Sequence, residues 1–539
     1  MARILTAALV VMGITSGGGP NIVNAFAAAS PADSAAQTAL SIGQAIGAAA
    51  ACPDISRTRI KAVADSLQDA IRQFTNDKQT ALAIQDSYDQ GVTFGQKAIS
   101  TRQTDCSAAA RDIAVWDRPR LQLITVAASM PPAPAMAGAA PAPTPVVASP
   151  APALVERALD VHGITDQEIR LGMAAPLSGP SKDLGREMKM GIEIAFDTVN
   201  ENGGINGRKL TLVAMDDGYE PSRTGAVMKQ LYEKENVFGF TGNVGTPTTA
   251  VALPFALSNN ALFFGAFTGA PLLRRDPPDR LVFNFRASYA EETSAVVRYL
   301  VKVRRLRPEQ VAVFAQQDGF GDAGFDGVTK TVRALTTDDS SPTILRLGYE
   351  RNTVDVDAAV NQLMQHNRQK GVLPIKAVVM VATYRAAARF IDKTHDQLPG
   401  LIYTNVSFVG STSLAEELKV LGARYAAGVI VTQVVPPVEG YSTIVLKYKN
   451  ALAKYFPGEP RDYVSFEGYL QATLLIEGIR RAGPQLTTDK LVDALEAIHG
   501  FDAGVGTAVN FSSMDHQALH KVWGTQLDND AHYQPIDLE

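Results

Sequence analysis

Beginning at Glu168, short apolar segments alternate along the chain with segments of helical period. The helical period is clear in 187–199, 291–303 and 357–365. The apolar, strand-like segments are 169–173, 210–215, 237–240, 262–264, 311–315, 378–382 and 428–434. Strands that are apolar throughout and separated by helices are typical of parallel sheets covered on both faces. Because about 370 residues exceed one such core, we expect two α/β lobes.

An Ala/Pro-rich stretch at 127–153 precedes this alternation and contains no charged residue. Polyproline geometry stiffens such a sequence, and its low apolar bulk gives it little to pack. We therefore expect a linker at 126–160 that separates the α/β lobes from a small all-α domain at 30–125. In that domain Ile60, Val63 and Leu67 recur at helical spacing, but no pattern of recognisable chemistry occurs.

The first residues of the chain have the pattern of an export signal. Arg3 supplies one positive charge, and the apolar run 4–14 is too short to span a bilayer. The residues Ala25–Ala27 then have the small-x-small form of a signal-peptidase site. We expect residues 1–27 to be a signal peptide and the mature chain to be periplasmic. A buried N-terminal helix is the alternative.

The chain has two cysteines, Cys52 and Cys106. In an exported protein an even cysteine count favours a disulfide, and two free thiols are the alternative. The bond would close a loop of about 54 residues and contribute roughly 4 kcal/mol in the chain-entropy model.

Composition and motifs exclude several classes of function. The formal net charge of −5 provides no basic surface for nucleic acid. His516 and His520 are four residues apart, but no Glu lies between them, so the zinc-protease pattern fails. The sequence has neither a phosphate loop ending in Gly-Lys-Ser/Thr nor a G-x-S-x-G elbow. We therefore predict no catalytic residue, no metal and no cofactor.

The loops that follow the strands carry the candidate binding residues. After the strand at 237–240, the sequence Gly242-Asn-Val-Gly245 leads to Thr246 as a helix N-cap and a proline at the first helical position. The N–H groups of Thr248 and Thr249 are then expected to be free, at the positive end of the helix dipole. Such a helix end suits a carboxylate, sulfonate or amide oxygen. The alternative is an ordinary capped helix.

A second hydroxyl-bearing loop, 265–271, follows the next strand and contains Thr268 and Gly269. Because the carboxyl ends of parallel strands share one edge of a sheet, we expect Thr246 and Thr268 to converge. Further candidate loops are 318–321, 383–385 and 410–413.

Three segments follow the order of strand, loop, long helix, Gly-Gly stop and strand: Ala175–Pro180, Gly191–Ala195 and Asn202–Leu210. Together they resemble the opening of type I periplasmic binding proteins, in particular the branched-chain amino-acid (Leu/Ile/Val) group of ABC importers. The resemblance covers about 165–530. It continues through 268–270, 284–289, 318–321 and 465–469.

This resemblance implies two lobes joined by three crossings of the chain, with the ligand in the cleft between them. We place the crossings near Ala287, Val434 and Gln526. Lobe 1 is then expected to hold 166–287 plus 435–510. Lobe 2 is expected to hold 288–434 plus 511–539.

The resemblance also implies roles for individual residues. Thr246 corresponds to the loop that binds the ligand carboxylate, supported by Thr268 and Gly269. Phe320 corresponds to the aromatic residue that stacks over the ligand from lobe 2, where the family usually has Tyr. Tyr384 corresponds to a second ligand contact from that lobe.

Two positions depart from the family pattern. Leu184 falls where the family often has an aromatic residue over the ligand side chain. Near Ser411, amino-acid binders of the family commonly place an acid that pairs with the ligand ammonium, but here no acid occurs before Glu416. An unpaired buried ammonium costs several kcal/mol, so a carboxylate or an amide fits as well as an amino acid.

The sequence thus predicts a substrate-binding protein of an ABC importer, which closes its lobes on a small amino acid, carboxylate or amide and delivers it to an inner-membrane permease. The alternative is a periplasmic ligand-sensing module for a signalling partner, because transport alone does not require the helical domain. We expect no enzymatic activity.

Overall fold

The computed structural model describes residues 31–52, 55–75, 77–100, 106, 109–110, 113, 161–336 and 342–539. The expected signal peptide at 1–27 and the expected linker at 126–160 lie outside these residues. The chain divides into two compact units, Met1–Pro150 and Ala151–Glu539. Within the described part, no helix combines the length and the hydropathy that a membrane span requires.

The first unit contains helices α1 (Pro31–Ala50), α2 (Arg57–Phe74) and α3 (Lys78–Ser100). The apolar positions at helical spacing on α2, among them Ile60 and Leu67, are buried in a core of their own. Helices α1 and α3 pack backbone to backbone through glycines. A Cβ atom at Gly43 would lie 2.2 Å from the Tyr88 carbonyl oxygen, and one at Gly91 would lie 2.2 Å from the Leu40 carbonyl oxygen.

A disulfide joins Cys52, just after α1, to Cys106, and the two Cα atoms are 5.6 Å apart. The bond spans a sequence separation of 54 residues. It therefore restricts the unfolded chain strongly, by roughly 4 kcal/mol in the chain-entropy model.

The second unit begins with a parallel sheet in the order β2-β1-β3-β4-β5. Its strands are β1 (Glu168–Ala175), β2 (Lys209–Asp216), β3 (Gly239–Thr241), β4 (Phe263–Phe264) and β5 (Val282–Phe283). Helices α4 (Lys182–Glu201), α5 (Pro221–Glu233) and α6 (Thr246–Ser258) connect them. This sheet and its helices form lobe 1.

After β5 the chain crosses into lobe 2 and enters α7 (Tyr289–Arg298), which continues as a π-helical turn at Tyr299–Val303. Strands β6 (Val311–Gln316), β7 (Leu345–Tyr349), β8 (Ala377–Val381), β9 (Ile402–Asn405) and β10 (Ile430–Gln433) follow. The helices between them are α8 (Gly319–Leu335), α9 (Asp357–Arg368), α10 (Tyr384–Thr394), α11 (Ser411–Leu421) and α12 (Ala423–Ala426).

A second crossing after β10 returns the chain to lobe 1. There α13 (Thr443–Tyr455), α14 (Tyr463–Ala482) and α15 (Thr488–Glu496) follow, and α14 packs along α4. A small ribbon of β11 (Phe501–Asp502) and β12 (Ala508–Val509) comes next. The chain then enters lobe 2 again as β13 (Trp523–Leu527) and β14 (Tyr533–Ile536).

The expected two-lobed α/β architecture is confirmed, with one addition. The lobe 2 sheet has the order β14-β13-β10-β9-β8-β6-β7, in which β6 to β10 are parallel. Strands β13 and β14 extend it in antiparallel fashion. Strand β14 does not stand out as a continuous apolar run in the sequence, because this edge strand is largely exposed.

The third crossing lies earlier in the chain than expected. Gln526 is inside β13, opposite Ile430, and is therefore part of the lobe 2 sheet. Residues 511–516, which we expected in lobe 2, pack on lobe 1 instead. The rings of Phe511 and His516 lie 5.2 and 3.9 Å from the ring of Phe283, centroid to centroid. This aromatic stacking holds the segment on the first lobe until the chain crosses before β13.

Candidate functional site

The loop between β3 and α6 presents the start of a helix to the cleft between the lobes. Gly245 is the N-cap, with a φ of +100° that favours glycine. A Cβ atom there would lie 2.1 Å from the ring of Tyr219, so the loop also approaches this ring closely. Thr246 is thus the first helical residue, one position later than the N-cap role that we expected for it. Capping rules based on side-chain oxygens do not identify a glycine as the N-cap, which is why Thr246 was expected there.

Two threonine hydroxyls meet at this helix start. The Oγ1 atoms of Thr246 and Thr268 are 2.7 Å apart, and both residues are buried. The N–H of Thr249 donates to the Gly245 carbonyl at 3.0 Å, so it is not free as we expected. The N–H groups of Thr246 and Thr248 precede that first bond of the helix. We call the two hydroxyls and these N–H groups the candidate anion site.

Gly269 connects the candidate anion site to lobe 2. Its carbonyl accepts a hydrogen bond of 2.9 Å from the N–H of Tyr289, the first residue of α7. The Tyr289 hydroxyl is buried, and Thr268 is its hydrogen-bonding neighbour. Burial raises the pKa of this hydroxyl to about 12, so it keeps its proton at neutral pH. It can therefore act as a donor beside Thr268 at neutral pH.

Five buried aromatic side chains surround this region, and we call them the aromatic cluster. They are Tyr219 and Phe267 of lobe 1 and Tyr289, Phe320 and Phe408 of lobe 2. The Phe408 ring lies 5.0 Å from that of Phe267 and 4.7 Å from that of Phe320, centroid to centroid. The Phe320 ring lies 5.1 Å from that of Tyr289. The cluster therefore joins the two lobes at the cleft.

Phe408 was not predicted as a site residue. It lies in the 3-10 turn Ser407–Val409, directly after β9, so its position at a strand end was the available signal. An apolar residue in such a loop looks like ordinary core in a sequence. Opposite it, a Cβ atom at Gly319 would lie 3.6 Å from Cγ2 of Thr246, so α8 and α6 face each other closely across the cleft.

Leu184 and Tyr384 form a second contact between the lobes. A Cβ atom at Gly410 would lie 2.6 Å from the Leu184 side chain and 3.5 Å from the Tyr384 ring. The Tyr384 hydroxyl is 2.6 Å from the Pro180 carbonyl and 2.8 Å from Oδ2 of Asp183, and it donates to one of them. Burial raises the pKa of this hydroxyl, so it remains a donor at neutral pH.

Ser411 faces the interior of lobe 2 rather than the other predicted residues. Its hydroxyl accepts from Nε2 of Gln433 at 2.9 Å, and its carbonyl accepts from the Tyr533 hydroxyl at 2.8 Å. The structure thus brings together Thr246, Thr268, Gly269 and Phe320. It brings Leu184 and Tyr384 together at a neighbouring point of the cleft.

Ionic contacts also cross the cleft. Arg351 of lobe 2 pairs with Glu220 of lobe 1 at 3.0 Å and with Asp318 of its own lobe at 3.2 Å. Nδ2 of Asn352 donates to Oε1 of Glu220 at 2.7 Å. Burial opposes ionisation of Glu220, but the hydrogen bonds from Asn352 and Arg351 outweigh it and lower its pKa. Glu220 therefore stays charged while the lobes are in contact.

A buried ionic group lies where the chain crosses between the lobes, and we call it the hinge network. Arg286 pairs with Glu292 at 3.3 Å and with Glu467 at 3.7 Å. Glu292 also accepts from the N–H of Ser407 at 2.7 Å and from the Thr432 hydroxyl at 2.5 Å. Burial raises the pKa of Glu467 to about 7, although the charge of Arg286 opposes this.

Known proteins resemble the second unit of the chain. The family described as periplasmic binding proteins matches residues 168–532. The "Leu/Ile/Val-binding protein homolog 3" of Brucella melitensis is 25% identical over 357 residues, a match that covers 63% of this chain and 86% of that protein.

Solved structures resemble it as well. A possible leucine/isoleucine/valine-binding protein from Rhodopirellula baltica is 35% identical, with a TM-score of 0.65, and the match covers 69% of this chain and 97% of that one. A substrate-binding periplasmic protein from Ralstonia solanacearum is 26% identical, with a TM-score of 0.61, over 68% of this chain and 100% of that one.

Proposed function

The chain belongs to the periplasmic binding protein family, and from this premise we propose that it captures a small amino acid, carboxylate or amide by closing its lobes. Like its relatives it binds a solute and is not an enzyme. We propose further that it delivers the ligand to the permease of an ABC importer in the inner membrane.

The candidate anion site is the observation that supports this ligand class. Two buried hydroxyls 2.7 Å apart stand at the N-terminus of α6, where the helix dipole favours negative charge. A ligand oxygen placed there would accept from Thr246 and Thr268 in place of their mutual bond. Carboxylates and amides both provide such an oxygen.

The relatives favour an amino acid among these ligands, because the names of the Brucella and Rhodopirellula proteins refer to leucine, isoleucine and valine. The residues around the site are also compatible with a carboxylate or an amide. The ring of Phe408 lies among the aromatic cluster, and the carboxylate of Asp318 is already used by Arg351 and Gln316. Asp318 is therefore not free to pair with an amine of the ligand.

Lobe closure follows from the contacts that cross the cleft. Tyr384 reaches Pro180 and Asp183, and Arg351 reaches Glu220, only while the lobes touch. A ligand that contacts both lobes binds the closed form better and therefore shifts the population toward it.

A thermal-shift screen of amino acids, carboxylates and amides tests the proposal. A ligand at 100 times its Kd stabilises the protein by about 2.7 kcal/mol. Thr246→Ala removes one donor and should weaken the best hit about tenfold, which corresponds to about 1.4 kcal/mol. Thr443→Ala is the matched control, since Thr443 is the exposed first residue of α13. A panel without any hit contradicts the ligand class, and equal affinities of the two variants contradict the site.

Export is tested separately. We expect the chain to be recovered from the periplasmic fraction with an N-terminus that follows Ala27. Recovery from the cytoplasm with Met1 in place contradicts it.

A sensing role is the second candidate. The observation that favours it is the helical unit, which has its own core and disulfide and which solute capture does not require. Co-purification with a permease supports import, whereas co-purification with a kinase supports sensing.

A further inference from the structure

Two buried carboxyl groups of lobe 1 face the start of a helix of lobe 2. Glu187 lies on α4, and Asp462 is the N-cap of α14, where its Oδ1 accepts from the N–H of Ser465 at 2.6 Å. Glu187 is 5% exposed and Asp462 is 1% exposed. From lobe 2, the Ser413 hydroxyl in the first turn of α11 donates to Oε1 of Glu187 at 3.1 Å. We call Glu187 and Asp462 the inter-lobe carboxyl pair.

The Thr412 hydroxyl on α11 and the N–H of Val464 also hydrogen-bond Asp462 and lower its pKa, but burial outweighs them. The second oxygen of each carboxyl group is nevertheless short of donors. Oε2 of Glu187 and Oδ2 of Asp462 are both buried and unpartnered if the two groups are ionised, because carboxylates only accept. With a proton on Glu187, its side chain donates a hydrogen bond to Asp462. A single proton thus satisfies two orphaned oxygens at once.

The charges around the pair do not replace that proton. Arg186 is the nearest cation, but it is about half exposed and is bound to Glu459 at 2.9 Å. The other titratable groups that face the pair are acids or tyrosines. They are Asp183 on α4, Glu416 on α11, Tyr448 on α13, Tyr463 and Glu467 on α14, and Tyr533 on β14.

We propose that closure of the two lobes takes up one proton, which Glu187 and Asp462 then share against the first turn of α11. Opening moves α11 away, admits water to both carboxyl groups and allows the proton to leave. The inference concerns closure itself and goes beyond the proposed function, because it does not depend on which ligand enters the cleft.

The sign of the pH dependence follows from burial. In the closed form burial raises the pKa of Glu187 well above its ordinary value of 4.5, and the charge of Asp462 adds to the shift. In the open form water reaches Glu187, so its pKa falls toward that ordinary value. Between the two values the closed form holds a proton that the open form has lost. The closed population therefore decreases as pH rises through this window, by up to about tenfold per pH unit.

The experiment measures the distance between the lobes without any added ligand. Spin labels are attached to Lys229→Cys on α5 and Val420→Cys on α11, which are exposed positions of lobes 1 and 2. The two native cysteines form the disulfide, so no other thiol reacts. Pulsed electron paramagnetic resonance between pH 5 and pH 8.5 then gives the ratio of closed to open molecules.

We expect this ratio to fall as pH rises and to become independent of pH in Glu187→Gln, which carries a permanent donor. Glu193→Gln is the matched control on the same helix, where Glu193 pairs with Lys189 at 2.5 Å, and it should keep the wild-type response. Ser413→Asp places a third acid opposite the pair and should move the transition to lower pH, independently of whether Glu187→Gln folds.

A ratio that does not change with pH overturns the proposal, and so does the same response in Glu187→Gln and in the wild type. A ligand panel without hits leaves it standing, because no ligand is used.

Discussion

The molecule buries carboxylates in two places and neutralises them in two ways. At the hinge network, Glu292 and Glu467 flank the permanent cation of Arg286, and all three residues are at most 3% exposed. At the inter-lobe carboxyl pair, Glu187 and Asp462 face each other with no cation between them. The first place lies where the chain crosses between the lobes, whereas under our proposal the second is assembled only when they close.

The difference shows that the kind of counter-charge depends on whether the carboxyl group stays buried when the lobes open. A group that stays buried throughout the opening motion needs a partner that cannot dissociate, and the guanidinium of Arg286 keeps its proton. A group that is buried only part of the time is satisfied by a proton, which water supplies and removes. Substitutions at the two places should therefore act on different quantities, the free energy of unfolding at the hinge and the open–closed ratio at the cleft.

The largest effect is expected for Arg286→Ala. Removing the cation leaves Glu292 as an unpaired buried carboxylate and takes away the charge that opposes protonation of Glu467. The free energy of unfolding should fall by about 3–5 kcal/mol in urea denaturation followed by circular dichroism. Arg280→Ala is the control, because Arg280 pairs with Asp489 and Asp493 on the exposed surface. It should cost less than about 1 kcal/mol. Equal losses of unfolding free energy in the two variants would contradict a special role of Arg286 in the hinge network.

Glu467→Gln tests whether one arginine is sufficient for two carboxylates. The pKa of Glu467 is raised from 4.5 to about 7, so the folded state holds a proton that the unfolded state releases. This contribution to stability is fully present below pH 4.5 and is lost as the pH rises through about 7. It amounts to up to about 3 kcal/mol. The variant should show a correspondingly flatter dependence of unfolding on pH, and parallel curves would mean that Arg286 keeps Glu467 ionised.

Ser407→Ala is expected to have an intermediate effect at the hinge. Ser407 contacts both Arg286 and Glu292 through its hydroxyl, which accepts from the former and donates to the latter. Losing these bonds in a buried site should cost about 1–2 kcal/mol in the same urea experiment. An unchanged midpoint would indicate that water replaces the hydroxyl.

Ser413→Ala is the matched serine at the cleft and should have the smallest effect on unfolding. Its hydroxyl donates to Glu187 only in the closed form, so the free energy of unfolding should change by a few tenths of a kcal/mol. The ratio of closed to open molecules should fall about two- to tenfold, as measured with the spin labels. A large loss of global stability would show that the cleft contact behaves like the hinge.

Much of the fold could be predicted because its signals are local. Strands buried on both faces appear as continuous apolar runs, as in 311–315 and 378–382, and the loops after them start helices. The neighbourhood of Thr246 and Thr268 followed from the rule that the carboxyl ends of strands converge, and the position of Phe320 followed from the family resemblance. Their role in ligand binding stays a prediction.

The rest depends on contacts between segments that are distant in sequence. Glu187 on an amphipathic helix looks like a solvated residue, and only the packing of α14 and α11 buries it. Phe408 looks like core, and only the opposing rings of the other lobe make it part of the cleft. The predicted position of the third crossing was wrong because it also depends on such distant contacts. Phe511 and His516 are held on lobe 1 by stacking on Phe283.

The three crossings also set an order in which the molecule can be completed. Lobe 1 needs α13 to α15 from beyond residue 440, and lobe 2 needs β13 and β14 from beyond residue 520. The cores of both lobes are therefore incomplete until nearly the whole chain is available for folding. Helices α1 to α3, in contrast, lie within one continuous segment and can associate early. A chain that crosses the membrane N-terminus first would thus fold its helical unit while the lobes are still unfolded and dependent on protection from aggregation.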